Sequence, residues 1–259
     1  MKTLYKGLAL VLAVILFASF FGCAASKTPT LDKIKKAGKL VMLTNAAFPP
    51  FEYLGDDNNV AGVDADIAAA IAAELGVKLE IIDMDFDGII MAVQSGKGDL
   101  GVAGMTATEE RAKSVDFSVD YVSTTQMIIV PQGSPIKTAE DLSGKNVGVQ
   151  LGTTGDLFAT DYIEGAEISR FKTGSDAGIA LANGQIDAIV IDAMPADQIV
   201  AANAGLVLLD EPLTEEQYAI AIKKGNDDLK EVVNKVLEKL LKDGTVDALI
   251  EKHMAAAAN

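Results

Sequence analysis

Three short stretches carry residues suited to gripping a small charged molecule. In GMTATEERAKSVDFS (104–118), Thr108 can cap a short helix whose first turn holds Glu109 and Glu110, with Arg111 next. The planar guanidinium of arginine grips a carboxylate through two parallel hydrogen bonds, and Gly104 and Thr106, just before it, offer backbone and hydroxyl groups. A surface Arg111 paired with a nearby acid fits the same spacing, which leaves both readings open. LGTTGD (151–156) sets glycines and threonines between a strand and a helix, where exposed N–H groups meet the positive end of the helix dipole. That suits a carboxylate or a phosphate, although the lysine and spacing of a nucleotide-binding loop are missing and a plain strand-to-helix turn is the alternative. Asp192 closes the apolar run IDAIVID (186–192), where it either faces a ligand or caps the helix that follows.

Other chemistries fail on their own templates. DMDFDG (83–88) opens like a calcium loop with Gly88 sixth, but Gln94 stands at position twelve, where a bidentate glutamate is needed. The element before it reads as a strand, not a helix, so no metal is expected. His253 is the only histidine; it is expected at the surface of the last helix and supports no Ser-His-Asp or Cys-His arrangement. Cys23 is the only cysteine, which excludes an intrachain disulfide, and there is no histidine or cysteine cluster for zinc. No cofactor is expected.

The elements that position these residues alternate. KLVMLT (39–44) reads as a strand, DADIAAAIAAEL (64–75) as a helix stopped by Gly76, and VKLEII (77–82) as a strand again. A helix near 88–95 and a strand at 99–103 continue the beat. A second run starts at NVGVQ (146–150), with helices near 155–164 and 176–183 and strands near 168–171 and 186–191. Strands alternating with helices imply a largely parallel sheet covered on both faces. Chain-breaking residues near 131–135 and again near 211 suggest one unit inserted into another. MAVQSGKGDLGVAG (91–104) and IALANGQIDAIVID (179–192) form a faint repeat, each passing from a helix through a glycine turn into an apolar strand. Their ends, Gly104 and Asp192, are therefore candidates for one site shared by two halves.

Lys plus Arg total 22 against 37 acids, a net charge of −15 that repels phosphate backbones and anionic lipid surfaces. Nucleic acid is not expected as a partner. Lys2 and Lys6, an apolar run from Leu8 to Phe21 and small residues around Cys23 have the layout of an export signal, and a run of roughly 14 residues is short for a membrane span of about 20. The expectation is a chain outside the cytoplasm; Cys23, directly after the apolar run and a glycine, resembles the lipidation site of bacterial lipoproteins, which implies a lipid that anchors the chain to the cell membrane, the alternative being cleavage near Ala24 or Ala25 and a chain free in the periplasm. Phe20 and Phe21 are bulkier than the usual lipidation box.

The stretches AAFPPFEY (46–53), GVDADIAAAIAAELG (62–76), MDFDGIIMAVQSGKGDL (84–100), GMTATEERAKSVDFS (104–118), VGVQLGTTGD (147–156) and IDAIVID (186–192) resemble the extracytoplasmic amino-acid-binding proteins of ABC importers. They do so in the family's order across nearly all of the mature chain. The resemblance implies an α/β, two-lobed periplasmic-binding-protein-like fold, each lobe a mixed, mostly parallel sheet flanked by helices, joined by two hinge strands. It divides the chain into a signal peptide (1–22), a lipidated N-terminus and linker (23–38), a first lobe (39–122 plus 217–259), a second lobe (127–211) and hinge segments (123–126 and 212–216).

Carried over residue by residue, the resemblance makes Arg111 the clamp on a ligand α-carboxylate, helped by the Thr106 hydroxyl and the Thr154 amide. Asp192 and the Gly104 carbonyl hold the α-ammonium, and Phe48 and Phe86 wall the side chain. Asn45 and Gln150 fall where the family varies its polar contacts, and since both are uncharged they point to a neutral polar amino acid. Asp156 is a further acid within possible reach, and Asp87 is expected to cap the helix after Phe86. Met91 and the single tyrosine of VDYVSTT (119–125) depart from the family pattern. The expected function is high-affinity capture of an extracellular amino acid by a monomer that delivers it to permease subunits, without catalysis. The competing readings are a carboxylic-acid dehydratase on the same scaffold, for which Glu52, Asp87 and Asp192 offer no evident acid-base pair, and a freestanding amino-acid sensor.

Overall fold

Short apolar strands separated by alanine-rich helices must layer helices over sheets. The structure, a computed structural model, describes residues 30–257. The leader and the Cys23 expectations lie outside the described residues. The first element, α1 (Thr30–Ala37), falls within the stretch expected as linker. Its Ile34 is buried, and the Leu31 N–H donates to Asp228 Oδ2 at 2.9 Å. Two apolar residues three apart are enough to seat an otherwise charged helix on a neighbour.

The chain then enters β1 (Lys39–Thr44), a small antiparallel sheet of β2 (Ala47–Phe48), β3 (Glu52–Leu54) and β4 (Val60–Ala61), and helix α2 (Val63–Leu75). Gly76 ends α2 in the left-handed conformation, φ 70, with its N–H on the Ala72 and Ala73 carbonyls. There follow β5 (Lys78–Asp83), α3 (Ile89–Ser95), β6 (Leu100–Gly101), α4 (Glu109–Ala112) and β7 (Val115–Phe117). β8 (Val122–Thr124) carries the chain across to β9 (Gln126–Pro131), β10 (Asn146–Gln150), α5 (Thr154–Tyr162), β11 (Glu167–Phe171), α6 (Gly174–Ala182), β12 (Ala188–Asp192), α7 (Ala193–Ala202) and β13 (Leu206–Leu208). It returns through β14 (Glu216–Tyr218), which pairs antiparallel with β8, into β15 (Ala221–Lys223), α8 (Asp227–Lys242) and α9 (Thr245–Ala257).

Two five-stranded sheets result, in the orders β5-β1-β6-β15-β7 and β11-β10-β12-β9-β13. In each, the first three strands run parallel; the fourth, β15 or β9, supplied by chain that has crossed between lobes, is antiparallel to them, and the fifth, β7 or β13, pairs antiparallel with the fourth and so runs with the first three. The sheets are thus mixed, with less parallel pairing than the strand-helix alternation suggested. β6 and β12 each hold the third place, so the faint repeat is a repeat of architecture. Carboxyl ends of corresponding strands face the gap between lobes, where open α/β sheets take ligands.

α8 buries Leu229, Val233, Val236 and Leu237, the one-sided stripe that its 3.6-residue period places against the first lobe. His253 contradicts the surface expectation: it is 4% exposed on α9, with Nδ1 2.9 Å from Tyr53 OH and Nε2 2.9 Å from Asp66 Oδ2. A buried imidazole is tolerated because both nitrogens have partners. Among the described residues no helix is long and apolar enough to cross a membrane.

Candidate ligand-binding site

The carboxyl ends of β1, β6, β10 and β12, with the segments that follow them, converge on a cavity of about 280 Å³ between the lobes. Every ligand-contact candidate singled out in the sequence lines this cavity.

Arg111 is set by α4. The Thr108 hydroxyl accepts from the Arg111 N–H at 3.2 Å, the N-cap expected from the sequence. Its Nη1 donates to the Thr106 carbonyl at 2.7 Å and its Nη2 to the Gly152 carbonyl, on the other lobe, at 3.0 Å. Its guanidinium carbon lies 5.3 Å from the Phe86 ring centroid. Two of five N–H donors are thereby engaged, leaving three to grip a carboxylate. Burial lowers the Arg111 pKa, opposed by the charges of Glu216 and Asp192; arginine stays charged regardless. Among the described residues no acid forms an ion pair with it, so the surface-pair reading does not hold.

Asp192 sits at the N-cap position of α7, yet its side chain makes no capping bond. It is 4% exposed, and its oxygens accept from Tyr218 OH at 2.6 Å and Gln126 Nε2 at 2.9 Å. The capping reading is therefore overturned by where the carboxyl points. Burial is the main force raising its pKa to about 7; Tyr218 and Gln126 favour the ionised form and Glu216 opposes it. A cation placed beside it would favour the ionised form.

Gly104 must be glycine twice over: its φ is +49, and an added Cβ would stand 2.8 Å from the Phe48 ring. Its N–H donates to Asp64 Oδ2 at 2.8 Å. Phe48 and Phe86 are buried against the cavity. Asp87 does not cap α3, whose N-cap is Gly88 without a side-chain bond. It packs instead across the gap on Gly152, where an added Cβ would come within 3.0 Å of it. Met91 is 72% exposed and points away from the site.

Asn45 and Gln150 form one relay. The Met84 carbonyl accepts from Asn45 Nδ2 at 3.1 Å, so Asn45 Oδ1 must accept, and it does so from Gln150 Nε2 at 2.9 Å. Gln150 Oε1 is then left buried without a hydrogen-bond partner. Thr106 and Thr154 both donate their hydroxyls to Glu216 Oε2, each at 2.6 Å. The Thr106 hydroxyl has a single proton, so in this arrangement it does not donate to a ligand. The Thr154 N–H belongs to the first turn of α5, where amides have no intrahelical acceptor; the Thr153 hydroxyl caps the turn by accepting from the Asp156 N–H at 3.2 Å. Asp156 itself is committed to Arg170, 2.9 Å away, and takes no place in the cavity.

Sequence reasoning missed Thr153 and Glu216, and named Glu52 only as an acid-base candidate for the enzyme reading. Glu52 lines the cavity at 0% exposure, and neither oxygen has a partner as a carboxylate. Burial, then the charge of Asp64, keeps its pKa well above the carboxylate range, and as a neutral acid it donates to Asp64. Asp64 titrates at about 6, raised by burial while the Gly104 N–H and Tyr121 OH hold its ionised form. The sequence signal was an acid in a strand of the phenylalanine-rich FEY segment, where half-burial is the default.

Two α/β lobes that present strand ends, a guanidinium and a buried carboxyl to one small cavity define a solute-binding protein. Residues 40–256 match the bacterial extracellular solute-binding proteins, family 3, and the chain belongs to that family. It is 32% identical over 249 residues to the L-cystine-binding protein TcyJ of Escherichia coli K12, covering 95% of this chain and 94% of that one. It is 36% identical over 258 residues to the arginine-binding extracellular protein ArtP of Bacillus subtilis, covering 95% and 97%. Among solved structures, the amino acid ABC transporter substrate-binding protein AbpA of Streptococcus pneumoniae, bound to L-arginine, superposes with a TM-score of 0.85 at 36% identity, over 88% of this chain and 99% of that one. The chain is an extracytoplasmic solute-binding protein of the ABC-transporter class, not an enzyme.

Proposed function

We propose that the cavity takes L-arginine, or another amino acid with a donor-rich cationic side chain, and that the chain delivers it to the permease subunits of an ABC importer. Amino-acid binding itself follows from the family and its relatives. The side-chain class rests on the amide relay: Met84 orients Asn45, Asn45 orients Gln150, and the atom left without a partner, on a residue that lines the cavity, is an acceptor, Gln150 Oε1. A guanidinium brings five donors to such an end, whereas a neutral amide brings two. A zwitterion whose side chain carries no donor uses Arg111 and Asp192 and leaves Gln150 Oε1 unmatched. An unmatched buried acceptor costs about 1–3 kcal/mol.

This revises the neutral polar ligand expected from Asn45 and Gln150. In this reading the absence of charge matters less than the relay, because the two amides act as one unit that leaves an acceptor unpartnered. The relative named for arginine also falls outside that expectation.

In this reading Arg111 and the Thr154 amide hold the α-carboxylate, while Asp192 and the Gly104 carbonyl hold the α-ammonium. Phe48 and Phe86 flank the side chain. Arg111 and Asp192 lie on different lobes, so a bound zwitterion draws the lobes together by its higher affinity for the closed form. The hinge is the β8–β14 pair, the protein acts as a monomer, and a lipid on Cys23 keeps it at the membrane. Titration calorimetry with L-arginine, L-lysine, L-histidine, L-cystine and L-glutamine tests the assignment. L-Arginine is expected to bind at least about tenfold more tightly than L-glutamine, a difference of about 1.4 kcal/mol. A neutral side chain binding tightest overturns the side-chain class, and no binding by any overturns the ligand.

A further inference from the structure

Glu216 opens β14, one of the two strands that cross between lobes. It is absent from the cavity wall and borders a separate groove along the crossing strands, with Ser123, Thr125 and Met194. Its Oε2 accepts from the Thr106 hydroxyl, just beyond β6 of the first lobe, and from the Thr154 hydroxyl, at the head of α5 of the second. Both distances are 2.6 Å, in the range of charge-assisted O–H···O bonds. Its Oε1 accepts from Thr214, two residues earlier, at 3.0 Å, which fixes the carboxylate from its own strand.

We infer that Glu216 couples ligand binding to lobe closure, by bridging Thr106 and Thr154 only when the lobes are together. The inference rests on the proposed amino-acid function for its ligand, but not for its geometry. One oxygen satisfies two hydroxyls carried by different lobes, so any opening about the crossing strands must stretch or break at least one bond. A bond made in one state alone shifts the equilibrium by its whole worth, whereas a bond kept in both shifts nothing. The carboxylate also acts at a distance: its charge favours the cationic form of Arg111 and disfavours ionisation of Asp192. Glu216 is thus a positioning residue that works through the two threonines and Arg111 without touching the ligand.

The test replaces Glu216 by Gln, which keeps the shape and loses the charge, and by Ala, which removes the bridge. Spin labels at Met91→Cys on α3 and Tyr162→Cys on α5, in a Cys23→Ser background, report the distance between lobes; both positions are largely exposed, at 72% and 76%. The ratio of closed to open protein is expected to fall about tenfold in Glu216→Gln and further in Glu216→Ala. Affinity for L-arginine is expected to fall by a similar factor, and an open fraction should persist at saturation. A purely structural role would lower the ligand-free melting temperature while leaving the distances unchanged. Distance distributions matching wild type both with and without amino acid overturn the inference. If no amino acid moves the wild-type distribution, the functional reading fails, and the ligand-free comparison alone decides on Glu216.

Discussion

Asp192 gives the sharpest prediction, because its carboxyl titrates at about 7 in place of 3.8. That is roughly a thousandfold in proton affinity, on the order of 4 kcal/mol. The folded, ligand-free protein holds this proton where the unfolded chain has released it, so stability from this group is full below about pH 4 and is lost as pH rises through about 7. Asp64, at about 6, adds in the same direction. A ligand α-ammonium reverses the preference, since only the ionised carboxylate pairs with it. At pH 6 binding must therefore expel roughly 0.9 proton, and at pH 8 about 0.1, on a simple titration at 7. Calorimetry of L-arginine binding in two buffers of different ionisation enthalpy reads that number. Asp192→Asn should abolish the proton release and flatten the pH dependence, with affinity about a hundredfold lower, in line with roughly 2–5 kcal/mol for truncating a buried charge pair. Wild type that binds at pH 6 without releasing a proton, or Asp192→Asn with unchanged affinity, refutes the reasoning.

Two further outcomes are expected. Arg111→Ala should cost about 2–5 kcal/mol of amino-acid affinity, the cost of leaving a buried carboxylate unpaired, and equal affinities by calorimetry would contradict its role as clamp. His253→Ala removes the partner of Tyr53 and Asp66 far from the cavity. Its melting temperature should fall by a few degrees, reflecting about 1–3 kcal/mol for unpaired buried polar groups, while ligand affinity holds; a parallel loss of affinity would mean that α9 packing reaches the site.

Local signals were legible where they are local in origin. Thr108 capping α4, Gly76 ending α2 and the matching positions of β6 and β12 all follow from spacing within a few residues. The inward aim of Arg111 was not legible in this way: its spacing fits a surface pair equally well, and the Gly152 carbonyl that holds it lies across the gap. What the sequence left open was settled by contacts between residues far apart in the chain. Asp192 could cap or face the site, and Tyr218 and Gln126, distant in sequence, decide it. His253 looked solvent-facing because nothing near it announces Tyr53, 200 residues away. α1 was read as linker because its charges mask the two residues that seat it. Asn45 and Gln150 were visible as contacts, but the direction of their amides depends on the Met84 carbonyl, which no side-chain pattern reveals.

A crystal structure of the protein with L-arginine would put the whole assignment in view at once. The account requires the α-carboxylate on the Arg111 guanidinium and the Thr154 amide, the α-ammonium on Asp192 and the guanidinium donating to Gln150 Oε1. Arginine lying reversed, with its guanidinium at Asp192, or bound anywhere other than between the lobes, would contradict it.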